Sequence, residues 1–558
     1  MTDASNPLLL IMIGLPLVGA LVMMVMRGAS PRTTKLLALL IALAEIVLAA
    51  ILWVDFRNFQ TSGSTERFSS AFSVDWIPSF GIRFSLGVDG FALVMIALIA
   101  VLVPIVLGAS WEERLPAGRT VPGYFALILT LEAAMIGVFA ATDVFLFYVM
   151  FEVMLIPMYF LIGAYGGVQR AYAATKFFLY SLLGGLMMLA ALIGLYVASG
   201  NIRPEGGTLD WATLQSIAHQ IPESTQLWIF AGFAIAFAIK APLVPFHTWL
   251  PDAGAEAPAG AGTLLVGVLD KVGTFGFLRI CLPLLPAASA KLSWLLILLG
   301  VLGIVYGAIV AAGQSDLKRF VTFTSIAHFG FIVLGIFAFT TQSISGAVLY
   351  MVNHGLATGL LFLTVGMLTA RGGSQRIADY GGVWKVAPLL GGVFLIASLA
   401  TIALPGTNSF VSEFLVLIGS FTRYSAWTIV ATVGMVLAAV YMLWIFQRVM
   451  TGPVRGAAVL AEDDEGGQPV PVAVGAPAHT DPDGHEMTHP EPHTTTTVRV
   501  RFGDLRPREI AVVTPLVLLI LFLGVYPKPV LDVINPTSAQ TMTESGHTDP
   551  APALGGGK

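Results

Sequence analysis

The sequence predicts an all-α, polytopic membrane protein of about 14 transmembrane helices, and three observations carry that prediction. Hydrophobic residues fill 56% of the 558 positions and charged residues only 11%, against about 25% charged in a soluble domain. Apolar runs of about 20 residues, the length that crosses a bilayer, recur between breaks of charge, proline or glycine. Lys, Glu and His stand inside several of these runs, where hydrocarbon cannot solvate them.

In chain order the runs fall at 8–26, 35–53, 87–109, 122–140, 143–164, 175–198, 227–248, 258–282, 291–312, 319–339, 344–369, 387–421, 427–449 and 509–526. Met1 to Pro7 hold no basic residue, so the first run reads as a permanent span and not as a cleaved leader. The 227–248 run carries Pro242 and Pro245 just after Lys240. The 387–421 run is too long for one straight helix and contains Leu404-Pro405-Gly406-Thr407-Asn408. Proline lacks a backbone donor and clashes with the preceding turn, so both runs are expected to break at membrane depth. With the N-terminus outside, the inner loops hold 18 Lys and Arg and the outer ones 8, which places both termini outside. Residues 453–500 are rich in Pro, Gly, Asp, Glu, His and Thr, and they read as a disordered cytoplasmic linker. Its His479, His485, His489 and His493 read either as a metal tract or as part of a plain polar linker, and the second is preferred because a flexible tract has no pre-formed site or supporting residues.

The composition also excludes functions. A net charge of −4 offers no basic surface for nucleic acid. The single cysteine, Cys281, cannot form an internal disulfide, a cysteine-rich zinc site or an iron–sulfur cluster. No G-x-G-x-x-G after a strand and no Walker loop is present, so no cofactor is expected in this chain.

The ionisable groups within spans carry the chemistry. Glu152 lies mid-span in Phe151-Glu152-Val153 with nothing basic near it in sequence. It reads as half of a carboxylate–lysine pair or as an acid kept neutral by burial, and the first is preferred because intramembrane acids are functional by default. Lys240, in Ile239-Lys240-Ala241-Pro242, is too deep to snorkel. Hydrocarbon disfavours an ammonium and a nearby carboxylate favours it, so Glu152 moving against Lys240 would switch a proton on and off; a structural salt bridge is the alternative. Lys271 stands in the next span as a relay, with Asp270 about 100° round the helix, either independent of it or its local counter-charge. His328, His247 and His354 are imidazoles at span depth or span ends, able to pass protons or simply to pack. Glu413 follows the Pro405 break and suits an exit site. Glu132 is a second intramembrane acid that would lend charge to Glu152. Glu45, Asp143 and Arg279 lie nearer span ends and read as structural.

Phe237-Ala238-Ile239-Lys240-Ala241-Pro242-Leu243-Val244-Pro245-Phe246-His247-Thr248-Trp249-Leu250-Pro251-Asp252-Ala253, with Glu256-Ala257-Pro258, resembles the signature of the proton-conducting membrane subunits of respiratory complex I and of the related multisubunit cation/proton antiporters. Phe151-Glu152-Val153-Met154-Leu155-Ile156-Pro157-Met158-Tyr159, Lys271-Val272-Gly273, Asp316-Leu317-Lys318-Arg319 and Ser325-Ile326-Ala327-His328-Phe329-Gly330-Phe331 resemble it too. The resemblance spans roughly 85–450 and implies two inverted five-helix repeats with one broken helix each. It divides the chain into N-terminal helices (1–121), a first antiporter-like repeat (122–285), a second (286–450), the linker (451–508), and a final helix with a periplasmic tail (509–558). It implies a proton path with Glu152 and Lys240 at one half-channel, Lys271 and His328 at the centre and Glu413 at the exit.

Glutamate at the exit, where relatives usually carry lysine, is the pattern of the M branch. The absence of a long lateral C-terminal helix argues against the L branch. The implied setting is a bacterial inner membrane, with L- and N-type subunits as partners and NADH, FMN, iron–sulfur clusters and quinone held in partner subunits. Two other settings share the fold: an antiporter without a redox partner and a scaffold of a hydrogenase-type complex. Asp270 before Lys271 and the 453–500 insertion depart from the family pattern.

Overall fold

The computed structural model describes residues 6–26, 30–64, 66–461, 468–474, 494–500 and 503–550. Eleven helices among them are long and apolar enough to cross a membrane. The chain opens with α1 (Leu8–Val25) and α2 (Pro31–Thr61), the latter started by Pro31 and capped by Ser30 Oγ on Thr33 N–H at 3.1 Å. A hairpin of β1 (Ser69–Ile77) and β2 (Ile82–Val88) follows, paired antiparallel from Ser69 opposite Val88 to Ile77 opposite Ile82. Then come α3 (Gly90–Ala109), α4 (Val121–Ala140), α5 (Val144–Val153), α6 (Leu155–Tyr165), α7 (Arg170–Gly200), α8 (Trp211–Ile217) and α9 (Glu223–Lys240). Asp143, read from sequence as structural, caps α5 by accepting from Phe145 N–H at 2.8 Å and Leu146 N–H at 3.2 Å.

The 258–282 run is not one regular helix. After α10 (Trp249–Glu256), α11 (Ala259–Leu264) passes into a π-helical turn at Leu265–Leu269, then α12 (Lys271–Gly276), a second π turn at Phe277–Cys281, and α13 (Leu282–Leu284). π turns inside helices are uncommon and collect at functional sites. The second half comprises α14 (Pro286–Ala312), α15 (Leu317–Phe337), α16 (Thr341–Gly372), α17 (Val383–Val386), α18 (Pro388–Thr401) and α19 (Asn408–Met450). The expected break at Pro405 is the loop between α18 and α19, where Gly406 takes φ +95°. The spans expected at 387–421 and 427–449 share α19, bent at Tyr424 (φ −132°, ψ 54°). α15 and α16 are enclosed along their whole apolar length, whereas α7 and α19 show most of theirs outward.

Within the segment read as a linker, β3 (Gln468–Val474) pairs antiparallel with β4 (Thr494–Val500). His479, His485, His489 and His493 lie outside the described residues. α20 (Pro507–Val525) is the expected last span, and α21 (Lys528–Glu544) follows where only a tail is expected from hydropathy. The buried stripe of α21, Val533, Ile534, Thr537, Ser538, Thr541 and Met542, has helical spacing. Half of it is Thr and Ser, so its hydropathy is flat. α21 packs on α3 and α16, with Ser345 Oγ donating to Ser538 Oγ at 2.9 Å.

A closed ion cluster pins this end. Asp89 caps α3 through Ala92 N–H at 2.9 Å and accepts from Arg279 at 2.7 Å and Arg67 at 3.0 Å. Arg67 also binds Glu544 of α21. Burial pushes the Glu544 carboxyl above its ordinary range, and the Arg67 guanidinium opposes that. Arg279 is therefore structural, as its sequence position suggested, yet it is wholly buried. Removing one partner of a buried ion cluster strands the rest at a cost of about 3–5 kcal/mol. Asp89→Asn should accordingly lower the thermal unfolding midpoint of the purified protein and expose 528–544 to protease; an unchanged midpoint would contradict this.

Candidate functional site

Glu152 sits at the last turn of α5, beside the turn at Met154 that separates α5 from α6. Its Oε1 is enclosed without a hydrogen-bond partner. The room for it comes from Gly185 on α7: a Cβ there would lie 1.9 Å from Oε1 and 2.6 Å from Cδ. Lys240 is the last residue of α9, where Pro242 prevents the helix from continuing. Backbone groups freed at this break are recovered locally. Trp249 Nε1–H donates to Ile239 O at 2.8 Å, and Leu243 N–H to Ala238 O at 2.9 Å. The Lys240 amine is 1% exposed by residue, has no hydrogen-bond partner, and lies over the rings of Phe151 at 5.3 Å and Phe177 at 5.5 Å. The carboxylates within electrostatic reach of it are Glu152 and Asp270.

At the centre, Lys271 and His354 are joined by hydrogen bonds, and His328 packs beside them by ring contact. Lys271 Nζ donates to Val266 O at 2.6 Å and Asp270 Oδ1 at 3.1 Å, and meets His354 Nδ1 at 2.8 Å. His354 Nε2 lies 3.1 Å from Ser325 Oγ. His328 packs its ring 5.3 Å from that of His354 and 5.8 Å from that of Tyr350, and both its nitrogens lack partners. Tyr350 O–H donates to Glu413 Oε1. α16 and α19 approach closely enough for that bond because Gly346 lies against α19; a Cβ there would stand 2.7 Å from Val416 N. Past the exposed Pro405 loop, Asn408 starts α19 and ties it to α16. Asn353 Nδ2 donates to Asn408 O at 2.7 Å, and Asn408 Nδ2 to Asn353 O at 3.1 Å.

The structure thus brings Lys271, His354, His328 and Glu413 into one file and sets Glu152 with Lys240 at its near end. His247 stands aside, its ring against Tyr306 at 5.0 Å and Phe323 at 6.3 Å. Glu132 is fully buried on α4, and the titratable group near it is Glu45 of α2, also fully buried, not Glu152. None of the four oxygens of Glu45 and Glu132 has a partner. Sequence reasoning missed Tyr350, although its spacing of four from His354 puts both on one helix face. It also placed Glu45 too near a span end. Among the described residues no group of three or more His, Cys, Asp or Glu could hold a metal.

The family model described as NADH:quinone oxidoreductase/Mrp antiporter, transmembrane, matches residues 141–438. NADH-quinone oxidoreductase subunit M of Mycobacterium tuberculosis (strain ATCC 25618 / H37Rv) is 43% identical over 97% of this chain and 94% of its own length. The chain belongs to this family. A chain of respiratory complex I from Thermus thermophilus with bound NADH superposes with a TM-score of 0.79 at 29% identity, covering 96% of this chain and all of the other. A chain of the Mrp complex from Dietzia sp. DQ12-45-1b gives a TM-score of 0.77 at 21% identity over 97% of this chain and 98% of its own, a likeness of fold alone. The family model covers Glu152, Lys240, Lys271, His328, Tyr350, His354 and Glu413 alike.

The chemical capacity of this family member is set by the types in the file: amines, imidazoles, a phenol and carboxylates, each able to take and give a proton. The Tyr350 hydroxyl is the one direct hydrogen bond to Glu413 in the file. Tyr350→Phe removes it with little change of volume. Proton translocation coupled to the complex should fall several-fold at normal assembly, measured as vesicle acidification; wild-type translocation would show the phenol to be packing only.

Proposed function

We propose that this chain is the antiporter-like subunit M of a NADH–quinone oxidoreductase and carries protons across the membrane while electron transfer runs in partner subunits. The observation that carries the reading is the file of titratable groups from the half-buried Glu152 through the buried Lys240, Lys271, His354 and His328 to the buried Glu413, in a chain 43% identical to a subunit M over nearly its full length. In this reading a change of charge at Glu152 and Lys240 starts the transfer. Lys271 and His328, with His354 hydrogen-bonded between helices, pass the proton on, and Glu413 releases it. The attraction of Glu152 favours the ammonium form of Lys240, and hydrocarbon around it favours the amine. Moving the carboxylate a few ångströms therefore changes whether the proton is held.

The partners are L- and N-type antiporter-like subunits and the redox subunits that hold NADH, FMN, iron–sulfur clusters and quinone. The setting is a bacterial inner membrane with both termini outside, supported by the excess of Lys and Arg in the loops assigned to the inner face.

Replacing Glu152 or Lys240 with Ala tests the reading. NADH-driven acidification of vesicles should fall by about tenfold or more, the equivalent of 1.4 kcal/mol of barrier, with the other complex subunits still co-purifying. Undiminished pumping in an assembled complex would remove both residues from the mechanism.

A further inference from the structure

The proposed line leaves a gap. Lys240 belongs to α9 and Lys271 to α12, and two amines exchange a proton poorly when both are favoured in the same charge state. Asp270 stands in that gap. Consecutive helical residues diverge by about 100°, so Asp270 and Lys271 face different neighbours. Lys271 faces α16: its Nζ meets His354 Nδ1 at 2.8 Å, and the helices close up where a Cβ on Gly355 would lie 2.7 Å from Gly267 O. Asp270 faces α9. Gly273, one turn on and on the same face, is pressed against the end of that helix. A Cβ there would lie 2.6 Å from both Phe237 O and Ala241 N. Ala241 is the residue after Lys240.

The Asp270 carboxylate is 0% exposed. Oδ1 accepts from Lys271 at 3.1 Å, whereas Oδ2 is enclosed without a partner. The cations within its electrostatic reach are Lys271 and Lys240. The π turn that ends at Leu269 shapes this corner. Asp270 N–H bonds back to Leu265 O at 3.3 Å, and Val266 O is left free to accept from Lys271 Nζ at 2.6 Å.

We propose that Asp270 is a proton carrier between Lys240 and Lys271, a step that rests on the proton-transfer reading above. With Lys240 brought within hydrogen-bond reach of Oδ2, directly or through one water, an N–H bond of its ammonium breaks as an O–H bond forms at Oδ2, leaving a neutral amine and a carboxylic acid. Rotation about Cβ–Cγ exchanges the two oxygens. The O–H bond then breaks as Lys271, neutral after passing its own proton to His354, becomes an ammonium, and Asp270 returns to carboxylate. The groups that set this step are Lys271 on its own helix, Lys240 on α9 with Glu152 of α5 behind it, and His354 on α16. Glu132, on the neighbouring α4, has Glu45 as its titratable neighbour instead.

Asp270→Asn, Asp270→Glu and Lys240→Ala, each in the assembled complex in native membrane vesicles, test the assignment. Asp270→Asn should lower NADH-driven acidification by about tenfold, which corresponds to 1.4 kcal/mol of barrier, at unchanged complex content. Asp270→Glu should restore most of it with a displaced pH profile. Wild-type pumping in Asp270→Asn alongside a defective Lys240→Ala would overturn the carrier role and leave the wider reading standing. Equal loss in the Asn and Glu variants would overturn it in favour of a packing role. Intact pumping in Lys240→Ala would remove the wider reading and the carrier with it. Where Asp270→Asn blocks assembly, Asp270→Glu decides: a displaced pH profile supports the carrier, and a wild-type profile overturns it.

Discussion

The Lys240 amine has no hydrogen-bond partner and almost no exposure, so its charge is set by the balance between burial and the electric field of nearby carboxylates. A group of this kind costs about 2.5–3.5 kcal/mol on insertion scales when left uncompensated at mid-membrane. Much of the surrounding architecture accommodates that one group. α9 stops at Lys240 because Pro242 forbids a further turn, and Trp249 recovers the carbonyl so freed. Gly185 on α7 leaves space for the Glu152 carboxylate, and the rings of Phe151 and Phe177 give the amine its nearest polarisable surface. The pair is within electrostatic reach without being bonded, which leaves the interaction adjustable.

The remainder of the file is built differently. From Lys271 to His354 and Ser325, and again from Tyr350 to Glu413, groups touch through hydrogen bonds. Glycines set the distances: Gly267 with Gly355 on one side, Gly346 on the other. α15 and α16, which carry the histidines and the tyrosine, are enclosed on every side, so the path has protein and not lipid for its walls. The cluster of Arg67, Asp89, Arg279 and Glu544 shows the contrasting use of buried charge. Its carboxylates meet guanidinium groups directly and hold the hairpin, α3 and α21 together.

Much of this was legible in the residues. Apolar length announced the spans, and proline after Lys240 and at Pro405 announced the breaks, because a missing donor acts locally. The acids and lysines in apolar runs announced the site for the same reason. Relations between helices were not legible. Glu132 turns to Glu45 and away from Glu152, and nothing in either stretch of sequence encodes which helix packs beside it. Tyr350 reads as an ordinary aromatic until α19 brings Glu413 to it. The hairpin at 69–88 and the Thr- and Ser-lined face of α21 escaped because hydropathy sees burial only where it is apolar.

The most direct test of an adjustable Glu152–Lys240 interaction is a double-variant cycle on pumping with Glu152→Gln, Lys240→Met and both together, in assembled complex. If the two act as one charge unit, the double variant pumps about as well as the worse single one, a strong departure from additivity. Losses that simply multiply would show that the two residues act independently, and the account of the site would fail there.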